Sequence, residues 1–283
     1  SRLVAMSAVG GEAFEGDLPE KSRCFVGKEA LANSREQVYH RCTTESTAAL
    51  RIRTGVRFPS FTGVEINMMP FVMGDNTTIP EDYRQYAPLV DACLAHMRED
   101  ELGKVGYLSI HESEVEAGLT QRRPGLHTER VPVPAELVDE VPTTKENPGL
   151  KKGDTSTYAN WGGVLGGLYM ATNVSGTCRI YDEVVTAPKR NGDCEGLRSK
   201  LARKAIEVEA GELWWLTDRT PHEALPMPST QKRQWFRLVT SRVDVWWRQH
   251  STENPLGVQP TGKILEHSKF ELTKAAGQGC EVL

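Results

Sequence analysis

A chain of 283 residues, 39% hydrophobic and 25% charged with a formal net charge of −4, has the composition of an ordinary globular protein near the upper size of one core. The acidic balance gives no general pull toward a nucleic-acid duplex, and no apolar run reaches the roughly 18 residues of a membrane-spanning helix. Six scattered cysteines (Cys24, Cys42, Cys93, Cys178, Cys194 and Cys280) form no CxxC pair, which argues against a zinc ribbon or a dense disulfide framework and fits the cytoplasm or another reducing compartment.

Residues 1–48 are weakly periodic and read as an N-terminal extension with one helix over Gly27–Tyr39. From Ala49 to Met73 the chain is rich in Val, Ile, Phe and Thr, which predicts two or three strands around the turn "FPSFTG". "TIPEDYRQYAPLVDACLAHMRED" predicts the clearest helix, with Pro80, Glu81 and Asp82 at its start and Tyr86, Leu89, Val90, Cys93 and Leu94 on one face. Strand patterns follow. "KVGYLSIHES" alternates. "GGLYMATNV" and "GTCRIYDEVV" look like a hairpin turning at Val174-Ser175-Gly176. "LRSKLARKAIEVEAGELWWLTD" reads as a short helix, a strand, a glycine turn and a second strand, and "RQWFRLVTSRVDVWW" is the longest strand candidate. Many short strands behind one good helix predict a mainly β protein with flanking helices, a barrel or sandwich. Residues 49–247 are expected to form a single domain, with 248–283 as a C-terminal tail that packs on or leaves it.

The chemistry concentrates in "QRRPGLHTER", residues 121–130. On a strand, His127 and Glu129 project to the same face, an arrangement that serves a metal site or a solvated polar patch equally well. Of the seven histidines, His96, His250 and His267 read as surface residues. His111 in "IHESE" is a rival ligand weakened by Ser113, where a strand pair needs a carboxylate. His222, between Pro221 and Pro226, opens a short strand after "LWWLTDRT". Arg233 and Arg237 follow on one face of the next strand with Trp235 between them. Two histidines and one carboxylate on one face of an octahedron hold iron(II) in oxygen-activating enzymes.

His127-Thr128-Glu129, His222 and Arg233 together resemble the motif of the Fe(II)/2-oxoglutarate-dependent oxygenases. The resemblance covers about residues 105–245, with Glu129 in the place where Asp is commoner. It implies a double-stranded β-helix, a jelly-roll or cupin-like core. It also implies His127, Glu129 and His222 as metal ligands and catalytic centre, with iron(II), 2-oxoglutarate and O2 as cofactor and co-substrates. In that fold the distal histidine stands at the mouth. Arg233 is then the deep partner for the far carboxylate of 2-oxoglutarate, and Arg237 meets an anionic group nearer the mouth.

Tyr169 and Asn173, which share a face with Ala171, are further candidates for binding the co-substrate, as are Arg179 and Tyr181. Asp218 and Arg219 are candidates for orienting the His222 ring, and a turn salt bridge explains them equally well. Gln121, Arg122 and Arg123 read as surface charge. Trp214, Trp215, Trp235, Trp246 and Trp247 serve as site walls or as core. The expected outcome is hydroxylation of a small-molecule or peptide substrate. The competing readings are a cupin-type metal enzyme without 2-oxoglutarate, with His111 as an added ligand, and a non-enzymatic jelly-roll binding module.

Overall fold

The computed structural model describes residues 48–129, 167–185, 192–243, 245–266 and 268, so the helix expected over Gly27–Tyr39 lies outside the described residues. The protein is mainly β, built from antiparallel sheets with a few short helices. Its larger sheet has six strands: β1 (Ala49–Arg53), β2 (Glu65–Val72), β3 (Val105–Val115), β4 (Gly167–Thr172), β7 (Leu213–Thr217) and β9 (Gln231–Val239), in the order β1-β7-β4-β9-β3-β2. A smaller sheet runs β6-β5-β8, from β6 (Ala205–Glu207), β5 (Cys178–Tyr181) and β8 (His222–Ala224). Two further short strands, β10 (Val245–Trp247) and β11 (Lys263–Leu265), pair in parallel.

Period-two alternation gives the large sheet two distinct faces. Ala171, Phe236, Leu238, Ile110 and Tyr169 pack in one cluster with Leu89, Val90, Cys93 and Leu94 of helix α1 (Ala87–Leu94). The opposite face contributes Leu168, Met170, Trp214 and Trp235 to a second cluster, which Cys178 and Ile180 of the small sheet complete. The two sheets therefore enclose one layer between them, and the site residues open into that layer.

Three expectations are corrected. The single helix over Thr78–Asp100 is a 3-10 turn at Glu81–Tyr86 followed by α1. Pro88 lacks the N–H that a continuous α-helix needs there, and its ring blocks the carbonyl one turn back, so the α-helix restarts with proline in its first turn. "GGLYMATNV" and "GTCRIYDEVV" are not a hairpin: β4 pairs with β7 and β9, whereas β5 pairs with β6 and β8. The turn at Val174-Ser175-Gly176, with Gly176 at φ 69°, carries the chain from one sheet to the other. Finally, the longest strand is β3 with 11 residues; the run from Arg233 ends its pairing at Val239 and resumes as β10. The short helical stretch expected after Leu197 is present, as α2 (Arg198–Leu201) flanked by 3-10 turns. Among the described residues, no helix is long and apolar enough to cross a membrane.

Candidate metal centre

His127 and His222 meet. Their backbones form an antiparallel bridge, His127 N–H to the His222 carbonyl at 3.1 Å and His222 N–H to the His127 carbonyl at 2.8 Å. The ring centroids lie 4.8 Å apart. His127 stands in this isolated bridge and not within a continuous strand, which corrects the strand expected there. Gly125, at φ 83°, supplies the left-handed residue of the Pro-Gly turn that delivers it.

Each ring is oriented in the same way. His127 Nδ1 contacts the Gly125 carbonyl at 2.7 Å, and His222 Nδ1 contacts the Thr220 carbonyl at 3.0 Å. A carbonyl only accepts, so each Nδ1 carries the proton and donates it. Each Nε2 keeps its lone pair, as in metal-ligating histidines braced by a backbone carbonyl. Burial depresses both basicities. That of His127 falls to about 3, with His222 as the next cause, and that of His222 falls against an opposing pull from Glu129. Both imidazoles are neutral at neutral pH, and the Thr220 carbonyl orients His222.

Glu129 acts electrostatically on both histidines. Its two oxygens also accept from Arg237 Nη1, each at 2.6 Å. One nitrogen bridging both oxygens differs from the two-nitrogen fork. It leaves Arg237 Nη2 for Ser109 Oγ at 3.2 Å and Asn67 Oδ1 at 3.4 Å. Among the described residues, no three His, Cys, Asp or Glu side chains stand close enough together to hold a metal ion. The Glu129 carboxylate is instead held by the Arg237 guanidinium. The donor set still fits a divalent ion. Two neutral imidazoles present their Nε2 lone pairs, and a carboxylate has lone-pair capacity for an arginine and a cation together.

Arg233 lies on the same face of β9 as Trp235 and Arg237, fully buried at 0% exposure. Its Nε donates to Thr172 Oγ1 at 3.3 Å, and its Nη2 to Cys178 Sγ at 3.0 Å and the Thr177 carbonyl at 3.4 Å. Its Nη1 has no hydrogen-bond partner, and among the described residues no carboxylate is within ion-pair distance of this guanidinium. A buried cation with a spare donor is a place for an anion.

Tyr169 and Asn173 are not part of this grouping. Tyr169 pairs with Leu238 and packs in the helix-backed cluster on the far face. Asn173 exchanges hydrogen bonds with Gln234, which faces that side too. The strand was expected to use its odd positions; it uses its even ones, and the residue it gives to Arg233 is Thr172. Arg179 and Tyr181 likewise point away, toward Glu223. His111 is engaged at both nitrogens, Nδ1 by Glu65 and Nε2 by Arg122 Nη1 at 2.6 Å. Arg122 is no surface charge: its Cζ lies 4.5 Å from the Trp235 ring centroid, and burial pulls its basicity down to about 10. Gln121 Nε2 ties the same segment to Ser113 Oγ at 2.9 Å and the Arg233 carbonyl at 3.1 Å. The one signal for both was their place beside the motif. Trp235 carries Arg122 and Arg237 over its ring, whereas Trp215 packs with the helix-backed cluster.

No family model and no curated protein matches the sequence. Solved structures similar to this chain include AviO1 from Streptomyces viridochromogenes Tue57, 12% identical over 76% of this chain and 85% of that one, with a TM-score of 0.33. EvdO2 from Micromonospora carbonacea var. aurantiaca, complexed with 2-oxoglutarate, is 14% identical over 80% and 91%, with a TM-score of 0.33. SnoN, a non-heme alpha-ketoglutarate-dependent epimerase from nogalamycin biosynthesis, is 11% identical over 76% and 72%, with a TM-score of 0.34. Overlap this loose carries no functional argument, and the case rests on the residues of the site.

Proposed function

We propose that this protein is a non-haem iron(II)- and 2-oxoglutarate-dependent oxygenase on a double-stranded β-helix, with His127, Glu129 and His222 as metal ligands and Arg233 as the anchor of the 2-oxoglutarate side-chain carboxylate. The observation that carries it is the matched pair of neutral histidines, each donating Nδ1–H to a backbone carbonyl and so keeping Nε2 for a metal. Bound iron(II) supplies the redox chemistry by which O2 and 2-oxoglutarate oxidise a substrate C–H bond. The chain's own residues hold and position. The bridge between His127 and His222 fixes the spacing of the rings, and Arg237 holds the Glu129 carboxylate in place. Arg233 presents its spare donor from a dry wall, and Trp235 with Met170 excludes water beside it. The cupin-type alternative loses its added ligand, because both nitrogens of His111 are already engaged.

Anaerobic addition of iron(II) and 2-oxoglutarate is expected to give the weak visible charge-transfer band of the chelate. His127→Ala and His222→Ala should abolish it, whereas Arg233→Met should keep iron binding and weaken 2-oxoglutarate by about a hundredfold. A wild-type protein that binds neither ligand and gives no band would overturn the reading.

A further inference from the structure

Two guanidiniums lie over Trp235 and a third stands on the same strand face. The Cζ of Arg122 lies 4.5 Å from its ring centroid and that of Arg237 5.3 Å, and Arg233 stands two residues earlier on the same strand face. Among the described residues, one carboxylate ion-pairs with any of the three, Glu129 on Arg237. Arg233 is the anchor already assigned. Arg122 is different: it donates to a neutral acceptor, His111 Nε2, whose other nitrogen is held by Glu65 at the rim, where the Glu65 side chain is 64% exposed. A position over an indole gives the guanidinium a cation–π contact, and it keeps further N–H donors besides the one on His111. Arg122 is also fastened in place, because Gln121 pins the adjoining backbone to β3 and β9. A half-buried, pre-oriented cation that feels Glu129 and Glu65 without ion-pairing directly with either keeps its donors for recognition.

Charge balance says what it recognises, given the oxygenase reading on which this step rests. The three arginines face Glu129 and Glu65, a surplus of one positive charge, with His111 neutral through burial and the surrounding arginines. A divalent metal adds two charges and 2-oxoglutarate removes two, so the surplus survives. We propose that Arg122, braced by His111 and Trp235, binds an anionic group of the substrate, a carboxylate or a phosphate ester, and so makes this an oxygenase of anionic substrates. The group would lie against the Trp235 edge, with the rest of the molecule directed toward the His127–His222 pair.

The test is calorimetric titration of the full chain at low ionic strength with three probes: propionate, methyl phosphate and the uncharged propionamide. Wild type is expected to bind one or both anions and not the amide, and the tighter anion identifies the group. Arg122→Gln should weaken that anion by about tenfold or more while still binding 2-oxoglutarate; Arg233→Met should show the reverse. If Arg122→Gln does not fold, Arg122→Lys keeps the charge but loses the fork, and should bind more weakly than wild type. Equal anion affinity in wild type and the Arg122 variants, or equal affinity for propionamide, would refute the assignment. Because the probes are titrated against the chain alone, anion binding lost with Arg122 stands even if the metal and 2-oxoglutarate tests fail. The converse pattern sinks only this proposal.

Discussion

Glu112 collects five hydrogen bonds on a single carboxylate. Oε2 accepts from the backbone N–H groups of Thr62 at 2.7 Å, Gly63 at 2.6 Å and Val64 at 3.0 Å; Oε1 accepts from Gln234 Nε2 at 2.8 Å and from the Tyr86 hydroxyl. Burial pushes its pKa up, but the donors outweigh burial and hold it below the ordinary 4.5. A pKa lowered by folding stabilises the protein above the unfolded value, and that contribution fades as pH falls through the folded value. Glu112→Gln should therefore cost about 2 kcal/mol at neutral pH, as a charge-assisted bond set is lost. It should also flatten the fall in stability below pH 4.5. Urea unfolding at neutral and acid pH reads both, and parallel pH slopes in the two proteins would show that Glu112 is not the titrating group. The sequence pattern noted Glu112 only as a neighbour of His111, because no spacing rule announces that a distant loop will bring its N–H groups to a carboxylate. His127, Glu129, His222 and Arg233 were singled out by their order along the chain, and the structure brings His127 and His222 together. Thr172 was hidden behind Tyr169 and Asn173 by a choice of strand parity, which composition leaves open when both faces of β4 are buried.

The small sheet holds both histidine segments through one clamp on its outer side. Arg198 donates to both oxygens of Glu223, the neighbour of His222 on β8, at 2.9 and 2.7 Å, and the Tyr181 hydroxyl donates to the same carboxylate at 2.7 Å. Arg198 also pairs with Glu195, whose Oε2 accepts from the N–H of Leu126 at 3.0 Å, one residue before His127. Breaking this link leaves a buried Glu223 with Tyr181 and a looser Arg179 contact at 3.5 Å. Because Arg198 is itself 39% exposed, Arg198→Ala should cost about 2 kcal/mol, less than a fully buried pair. Its second effect is positional: zinc(II) or cobalt(II) affinity should fall by about tenfold, since both ligand segments lose a shared anchor. A lower melting temperature with unchanged metal affinity would reduce the clamp to a structural role. At this scale the strands were legible and their partners were not. Alternation marks β4 and β5 as strands, but a short link between them fits a hairpin and a crossing between sheets equally well. Long-range pairing with β7, β9, β6 and β8 decides the matter.

Across the whole molecule, the segment after β10 closes the exposed side of β2, the last strand of the large sheet. An uncovered edge strand is an aggregation hazard, and here it is capped by chain from the C-terminal side. Thr252 N–H donates to the Asn67 carbonyl at 2.7 Å, and Asn67 N–H returns a bond to Thr252 Oγ1 at 3.0 Å. Asn254 Nδ2 donates to the carbonyls of Pro70 and Thr78, both at 2.8 Å, and the Trp246 indole to that of Met68 at 2.8 Å. The edge bulges where Met68 adopts φ 49°. Asn67, just before it, turns its amide oxygen to Ser109 Oγ at 3.3 Å and Arg237 Nη2 at 3.4 Å. The segment thus reaches the site through two residues: it fixes Asn67, Asn67 braces Arg237, and Arg237 holds Glu129. The combined Thr252→Val and Asn254→Ala variant removes the Asn254 donor from the Pro70 and Thr78 carbonyls and the Oγ1 acceptor from the Asn67 N–H. Its unfolding free energy should drop by about 3 kcal/mol. If Asn67 transmits the loss, zinc(II) affinity should also weaken by about threefold, because a loosened Arg237 no longer fixes the Glu129 carboxylate. Lower stability beside unchanged metal affinity would confine the segment to guarding the sheet edge.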